Sequence, residues 1–171
     1  YEEVVAFVNR GWGSFRKETI YKAPHCAWAS VGIRLLDLNG DGRTDVLTAN
    51  GDQVEIPPIL RPYHGLAWLE NRGGFPFTRH RLTHMPGEHT ILPADLDGDG
   101  RLDIVTSAFI PVFAPASPDA GKLDSVAWLR QTSPGNFTRY SLETGTPFHP
   151  VGDVGDIDGD GDADIVMGNF F

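Results

Sequence analysis

The stretch Asp95-Leu-Asp-Gly-Asp-Gly-Arg-Leu-Asp-Ile-Val105 sets carboxylates at positions one, three, five and nine of a short loop. Two further stretches align with it without a gap: Asp37-Leu-Asn-Gly-Asp-Gly-Arg-Thr-Asp-Val-Leu47 and Asp156-Ile-Asp-Gly-Asp-Gly-Asp-Ala-Asp-Ile-Val166. Their spacings are 58 and 61 residues. The intervening glycines let the backbone turn sharply, and each loop ends in an apolar run that reads as a strand.

Two other elements keep the same rhythm. Ala67-Trp-Leu-Glu70 matches Ala127-Trp-Leu-Arg130, with Ala6-Phe-Val-Asn9 as a looser copy. Phe77-Thr-Arg-His-Arg-Leu82 matches Phe137-Thr-Arg-Tyr-Ser-Leu142, and Phe15-Arg-Lys-Glu-Thr-Ile20 fills the same slot. Each unit therefore holds four short strands: one into the acidic loop, one out of it, the Ala-Trp-Leu strand and the Phe-Thr-Arg strand. Four antiparallel strands at this period are the unit of a β-propeller. The expected fold is all-β, with about three blades' worth of chain and the acidic loops between first and second strands. The boundaries fall at a half blade 1–22, blades 23–83 and 84–144, and a half blade 145–171. Tyr1 lies inside an alternating apolar stretch, so the chain reads as a piece of a longer or processed protein. Three blades are too few for a ring, so further blades are expected, from the parent chain or from additional copies.

The acidic pattern has a direct chemical reading. Carboxylates at positions one, three, five and nine converge on one point, and the carbonyl at position seven fills in. In the first loop the donors are Asp37, Asn39, Asp41 and Asp45 with the Arg43 carbonyl. In the second they are Asp95, Asp97, Asp99 and Asp103 with the Arg101 carbonyl. In the third they are Asp156, Asp158, Asp160 and Asp164 with the Asp162 carbonyl. All are hard oxygens, which suits Ca²⁺ better than Mg²⁺ or a transition metal. An Asx-turn cluster without metal is the alternative. An EF-hand is a poor fit, because Thr48, Thr106 and Met167 stand where its bidentate Glu belongs.

Composition agrees. Twelve of 23 acidic residues fall in these three loops, and about three Ca²⁺ ions would reduce the formal charge from −9 to about −3. A chain this acidic has no basic stripe for nucleic acid. No apolar run is long enough to span a bilayer, so no membrane insertion is expected. The 20 glycines and 13 prolines favour many short strands and frequent turns. The single cysteine, Cys26, can form no internal disulfide; it reads as a small buried residue or as a reactive thiol.

These loops and strands resemble the FG-GAP or VCBS repeats of integrin α-subunit propellers, fungal propeller lectins and many secreted bacterial proteins. The likeness runs over essentially the whole chain. Pro62-Tyr-His-Gly-Leu-Ala-Trp-Leu-Glu-Asn-Arg-Gly73 also resembles a bacterial VCBS group common in planctomycetes and their relatives. Some of that group carry haem c domains, but no Cys-x-x-Cys-His occurs here. The resemblance implies a calcium-stabilised propeller whose usual job is binding. Weak calcium sites of this kind fill outside the cytosol, which points to a secreted, periplasmic or cell-surface protein.

An up-and-down meander puts the acidic loops on one rim with the third-to-fourth turns. The opposite rim then carries two long Pro-rich insertions, Asn50–Tyr63 and Phe109–Asp124, and long loops at matching points are often functional. It also carries His25, His64, His89 and His149, a possible metal or polar-ligand cluster. Trp28, Tyr63 and Phe109 lie outside the repeat and are candidates for a ligand surface, whereas Trp68 and Trp128 recur and read as core between blades. Three functions follow: a module that binds protein or glycan, a sugar lyase or hydrolase using the histidines, or an assembly unit. No catalytic spacing is found, so the chain reads as a binding module rather than an enzyme.

Overall fold

The computed structural model describes residues 2–24, 30–51, 60–110 and 120–170. Strands dominate. β1 (Glu3–Asn9) and β2 (Phe15–Lys22) form an antiparallel hairpin. β3 (Ser30–Leu36), β4 (Asp45–Asn50), β5 (Gly65–Glu70) and β6 (Thr78–Arg81) form a four-stranded antiparallel sheet in chain order. β7 (Leu92–Ala94), β8 (Asp103–Ser107), β9 (Asp124–Ser133) and β10 (Asn136–Thr144) repeat that sheet. A second hairpin follows, β11 (Val151–Gly155) with β12 (Asp164–Gly168). Each sheet is open, with no strand order that closes on itself among the described residues. No helix among them is long and apolar enough to cross a membrane.

The middle strands explain how the sheets stack. β4 and β8 are buried at every residue, because each of their faces meets a different neighbour. Val46 and Leu69 pack with Val4 and Ile20 of the first hairpin. Leu47, Ala49, Leu66 and Trp68 pack with Ile91, Ile104 and Leu129 of the second sheet. Leu92, Val105 and Val126 then face Val154, Ile165 and Met167 of the last hairpin. Each fully buried Leu or Ile in these layers contributes roughly 1.5–3 kcal/mol.

Two close approaches fix the layers. A Cβ on Gly135 would lie 2.7 Å from Cζ3 of Trp68, so only glycine lets this β9–β10 turn cover the indole of the preceding sheet. The first strands also come together side by side. A Cβ on Gly32 would meet the His89 carbonyl at 3.1 Å, and one on Gly152 would meet Leu92 at 3.2 Å.

In one place the register departs from the sequence expectation. The motif alignment puts Phe7 in the slot of Trp68. The ladder puts Ala6 there: Ala6 pairs with Glu18 as Trp68 pairs with His80, and Phe7 pairs with Lys17 as Leu69 pairs with Arg79. The tight Arg10–Ser14 turn, closed by Arg10 N–H to the Ser14 carbonyl at 2.8 Å, sets this register. Phe7 therefore faces away from the first sheet and is 65% exposed.

Candidate metal centres and ligand faces

The three acidic loops share one backbone scaffold. Positions four and six are left-handed glycines in each: Gly40 and Gly42, Gly98 and Gly100, Gly159 and Gly161. In the first loop Asp37 accepts the N–H of Asp41 at 3.0 Å and of Gly42 at 2.8 Å. In the second, Asp95 accepts those of Asp99 at 3.1 Å and Gly100 at 2.8 Å. In the third, Asp156 accepts those of Gly159 at 2.7 Å and Gly161 at 3.0 Å. The position-five carboxylate takes the N–H of position seven in all three, at 2.9 Å for Asp41 and Arg43, 3.0 Å for Asp99 and Arg101, and 2.9 Å for Asp160 and Asp162.

Around that scaffold the loops differ. Among the described residues, carboxylates close enough to share one ion occur as Asp95, Asp97 and Asp99, and as Asp156, Asp158 and Asp164. The first loop forms no such group from carboxylates alone; its third position is the amide Asn39, whose Nδ2 donates to Asp41 at 3.1 Å. The donor set of all three is hard oxygen, so the residues present fit a divalent cation of the calcium type.

The ninth position divides the loops further. Asp45 and Asp103 are fully buried. Asp45 accepts Asn71 N–H at 2.8 Å and Leu38 N–H at 3.3 Å. Burial pushes its carboxyl above the ordinary value, against those hydrogen bonds. Asp103 accepts Gln131 N–H at 2.7 Å and the Trp128 indole N–H at 2.9 Å. The Trp68 indole sits at the matching place beside Asp45, yet its Nε1 makes no hydrogen bond of normal geometry. Asp164 is only half-buried, and its Oδ2 accepts Ile157 N–H at 3.0 Å.

Arginines supply countercharge in the first two loops. Arg43 pairs with Asp41 at 2.5 Å, Arg101 pairs with Asp99, and Arg130 reaches across from β9 to Asp97. Partial desolvation opposes it, but the Arg43 N–H, the Asn39 amide and the Arg43 guanidinium hold the Asp41 carboxyl below its usual value. At Asp97 desolvation is likewise outweighed, here mainly by Arg130, and donating that hydrogen bond to Asp97 raises the guanidinium in turn. The third loop has Asp162 where the others have arginine.

The same contacts place the acidic loops beside the third-to-fourth turns, as the meander requires. Arg43 Nε donates to the Asn71 carbonyl at 2.7 Å, and Arg101 Nε to the Gln131 carbonyl at 3.0 Å. Gln131 is buried, and its amide donates to the Leu38 carbonyl at 3.1 Å and the Leu102 carbonyl at 2.7 Å, joining the first loop to the second. Neither Arg130 nor Gln131 stands out by type. Both follow Ala127-Trp-Leu129 directly within β9, and the pairing of Leu129 with Ile104 brings that part of the strand to the loop.

Among the described residues, His64, His89 and His149 each have a different setting. Among the described residues, no set of three metal-ligating side chains includes a histidine. His64 is fully buried with Tyr63 edge-on at 5.3 Å. His89 is half-buried and meets Phe109 edge-on at 5.7 Å, and Phe109 in turn meets Phe170 at 5.9 Å. His149 is buried, with Nε2 and Glu143 Oε2 sharing a hydrogen bond at 2.5 Å. His25, Cys26 and Trp28 lie outside the described residues, as does most of both long insertions.

A residue that sequence reasoning passed over is Glu88. It has no solvent exposure, and its carboxyl accepts the hydroxyls of Thr83 and, at 2.7 Å, Thr106. Gly51 packs directly on its backbone, where a Cβ would clash. Burial raises this carboxyl from 4.5 to about 7, against the two threonine hydrogen bonds and the Arg139 charge.

Comparison with protein-family models finds no family that matches the chain, and comparison with curated proteins finds no similar one.

Proposed function

We propose that this chain is a calcium-stabilised segment of an extracellular β-propeller of the FG-GAP or VCBS type, acting as a module that binds protein or carbohydrate. The observation that carries the reading is the shared loop scaffold. Three loops at blade spacing present carboxylates at positions one, five and nine on the same left-handed glycine turns. Clustered like charges of this kind repel unless a cation joins them. The propeller arm draws support from two four-stranded meanders stacked in chain order, with their first strands side by side.

Calorimetric titration and thermal melts test the calcium arm. At Kd values of about 10⁻⁴–10⁻³ M, 10 mM calcium stabilises by about 1.4–2.7 kcal/mol per site. The expected result is binding of about three ions and a higher Tm than in EDTA, with magnesium weaker. A melt that is the same in 10 mM calcium and in EDTA overturns it.

An assembly role has its own observation. Apolar side chains stay open on both terminal hairpins, with Phe7 65% and Val166 48% exposed, and on the outer strand of the second sheet, with Tyr140 43% and Leu142 48% exposed. Solution mass measurement decides whether copies of this chain cover them.

A further inference from the structure

We propose that the open face of the β1–β2 hairpin docks on the second sheet of another copy of this chain, with β1 laid along β12, so that two copies close on each other head to tail. This gives the assembly reading a partner and a register, and it rests on that reading and not on calcium.

The seam between the two four-stranded sheets shows what such a contact needs. There Leu129 of the second sheet shares an apolar cluster with Trp68 of the first, and Phe137 and Leu82 pack against it. Gly135 lies on the Trp68 indole with no room for a Cβ. Arg139 Nη1 reaches over to the His84 carbonyl at 3.2 Å.

The first hairpin carries the same parts, unused. Phe7 pairs with Lys17 as Leu129 pairs with Arg139, and Phe15 pairs with Asn9 as Phe137 pairs with Gln131. Phe7 and Phe15 therefore stand at the places of Leu129 and Phe137, and Lys17 at that of Arg139. Residues 7 and 9 share a face of β1, so Phe7 and Phe15 share a face of the hairpin. They are 65% and 58% exposed. Gly13 falls at the place of Gly135. Both are left-handed, with φ of 76° and 72°, but a Cβ on Gly13 would meet nothing within 4 Å among the described residues.

The second sheet carries the matching surface. Trp128 pairs with Val105, and Val105 packs with Val154, Ile165 and Met167 of the last hairpin. Two strands cover only the inner part of this face. Trp128 stays half-buried, and Tyr140, which stacks on it, is 43% exposed. Beside the gap runs β12. Among the described residues it is paired only with β11, and β1 only with β2. An unpaired edge is a template for another strand. Val154 pairs with Ile165 as Leu35 pairs with Val46, and in the first sheet Val46 pairs with Leu69. The same register sets Ile165 of one copy opposite Phe7 of the other. Ile165 faces the second sheet, so Phe7 faces it too and covers Trp128.

The occupant must bring two antiparallel strands, a glycine turn of this length and aromatic residues on one face. The chain's own first hairpin is held on the far side of the first sheet, so a second copy supplies it. Two copies hold four complete sheets and two composite ones, within the four to eight of a closed ring, whereas three copies would exceed it. The two contacts are then related by a two-fold axis.

The test is the solution mass of the chain by sedimentation, in calcium and at high micromolar concentration. The expected result is twice the chain mass, falling to the single mass on dilution, where each chain has its second seam open. Gly13→Asn keeps a residue that tolerates left-handed backbone and has open space in the single chain, but its Cβ would strike Trp128 in the pair. Tyr140→Asp puts a charge on the receiving face. Each should weaken pairing at least about tenfold and leave the circular dichroism spectrum unchanged. Mixed, the two variants should pair again, because one brings an intact sheet and the other an intact hairpin. A single mass at every concentration overturns the proposal together with the assembly reading. A dimer that neither substitution weakens, or a mixture of the variants that stays single, overturns the proposal alone, since the copies then meet through another surface. Calcium binding is measured separately on the same samples, so neither result stands in for the other.

Discussion

At the seam between the two four-stranded sheets, the Thr83 hydroxyl donates to the buried Glu88 carboxyl; at the next seam, the matching positions are Glu143 and His149, which share a hydrogen bond at 2.5 Å. Glu88 and His149 each lie seven residues before the first Asp of an acidic loop, and Thr83 and Glu143 each follow the Leu that ends a Phe-Thr-Arg strand. The geometry thus recurs while the chemistry does not. What differs is cover. Trp68 at the first seam is 6% exposed under Gly135, whereas Trp128 at the second is half-buried and stacks on a Tyr140 that is 43% exposed. A complete sheet on the far side closes a seam; a two-stranded hairpin leaves part of it open.

The largest expected difference is at the two tryptophans. Trp68→Ala should cost about 4 kcal/mol, because it opens a cavity in a closed layer. Trp128→Ala should cost about half as much, since part of that ring already meets solvent. Urea denaturation of both variants measures this, and equal losses would mean that the seams are equally closed.

Next comes the proton at Glu88. The unfolded carboxyl titrates near 4.5 and the folded one near 7. Between those values the folded state keeps a proton that the unfolded state has released, so stability falls as pH rises through this window and levels off above it. The size is on the order of 3 kcal/mol. Glu88→Gln keeps the shape without the charge. It should therefore be more stable than the parent at pH 8 and no more stable at pH 4.5. A difference between the two proteins that does not change with pH would mean that Glu88 is already ionised in the fold.

The ninth loop position gives a smaller contrast. Asp103→Ala leaves the N–H of Gln131 and the indole of Trp128 without their acceptor, and should cost about 2 kcal/mol in EDTA. Asp164→Ala, at a half-buried residue beside an open hairpin edge, should cost less than half of that without calcium, but should weaken calcium binding more. If Asp164→Ala is the more damaging change in EDTA, the third loop is held as firmly as the second.

Much of this was legible in the chain, because the loops are local. Left-handed glycines and short Asp-to-N–H bonds join residues two to five apart, so their pattern is written in consecutive letters. The strand order and the recurring tryptophans followed from the same repeat. Long-range relations were not legible. Phe7 was placed one residue out because the Arg10–Ser14 turn, not the motif, sets the register. Glu88 looked like any acid in a connecting segment; its burial depends on Thr83, Thr106 and Gly51, which come from three separate stretches. Of the histidines that share an approximate sequence rhythm, His89 and His149 are taken up by different neighbours, Phe109 and Glu143.

The smallest effect on stability bears on the proposed calcium sites. Arg130 reaches Asp97 and lies 3.8 Å from Asp99, and its counterpart in the first sheet is Glu70, which is tied to Arg72 and His80. Among the described residues, the second loop is therefore the one whose carboxylates receive a guanidinium from the neighbouring strand. Exposed pairs of this kind matter little to folding, so Arg130→Ala should move the Tm in EDTA by no more than about 2 °C. Its effect on calcium should be larger and opposite in sense. The guanidinium holds oxygens that an ion would take, so removing it should tighten calcium binding several-fold, most clearly at low salt where the competing charge is least screened. If calcium binding weakens instead, Arg130 orients Asp97 for the ion rather than standing in its place, and the second and third loops differ in support rather than in competition.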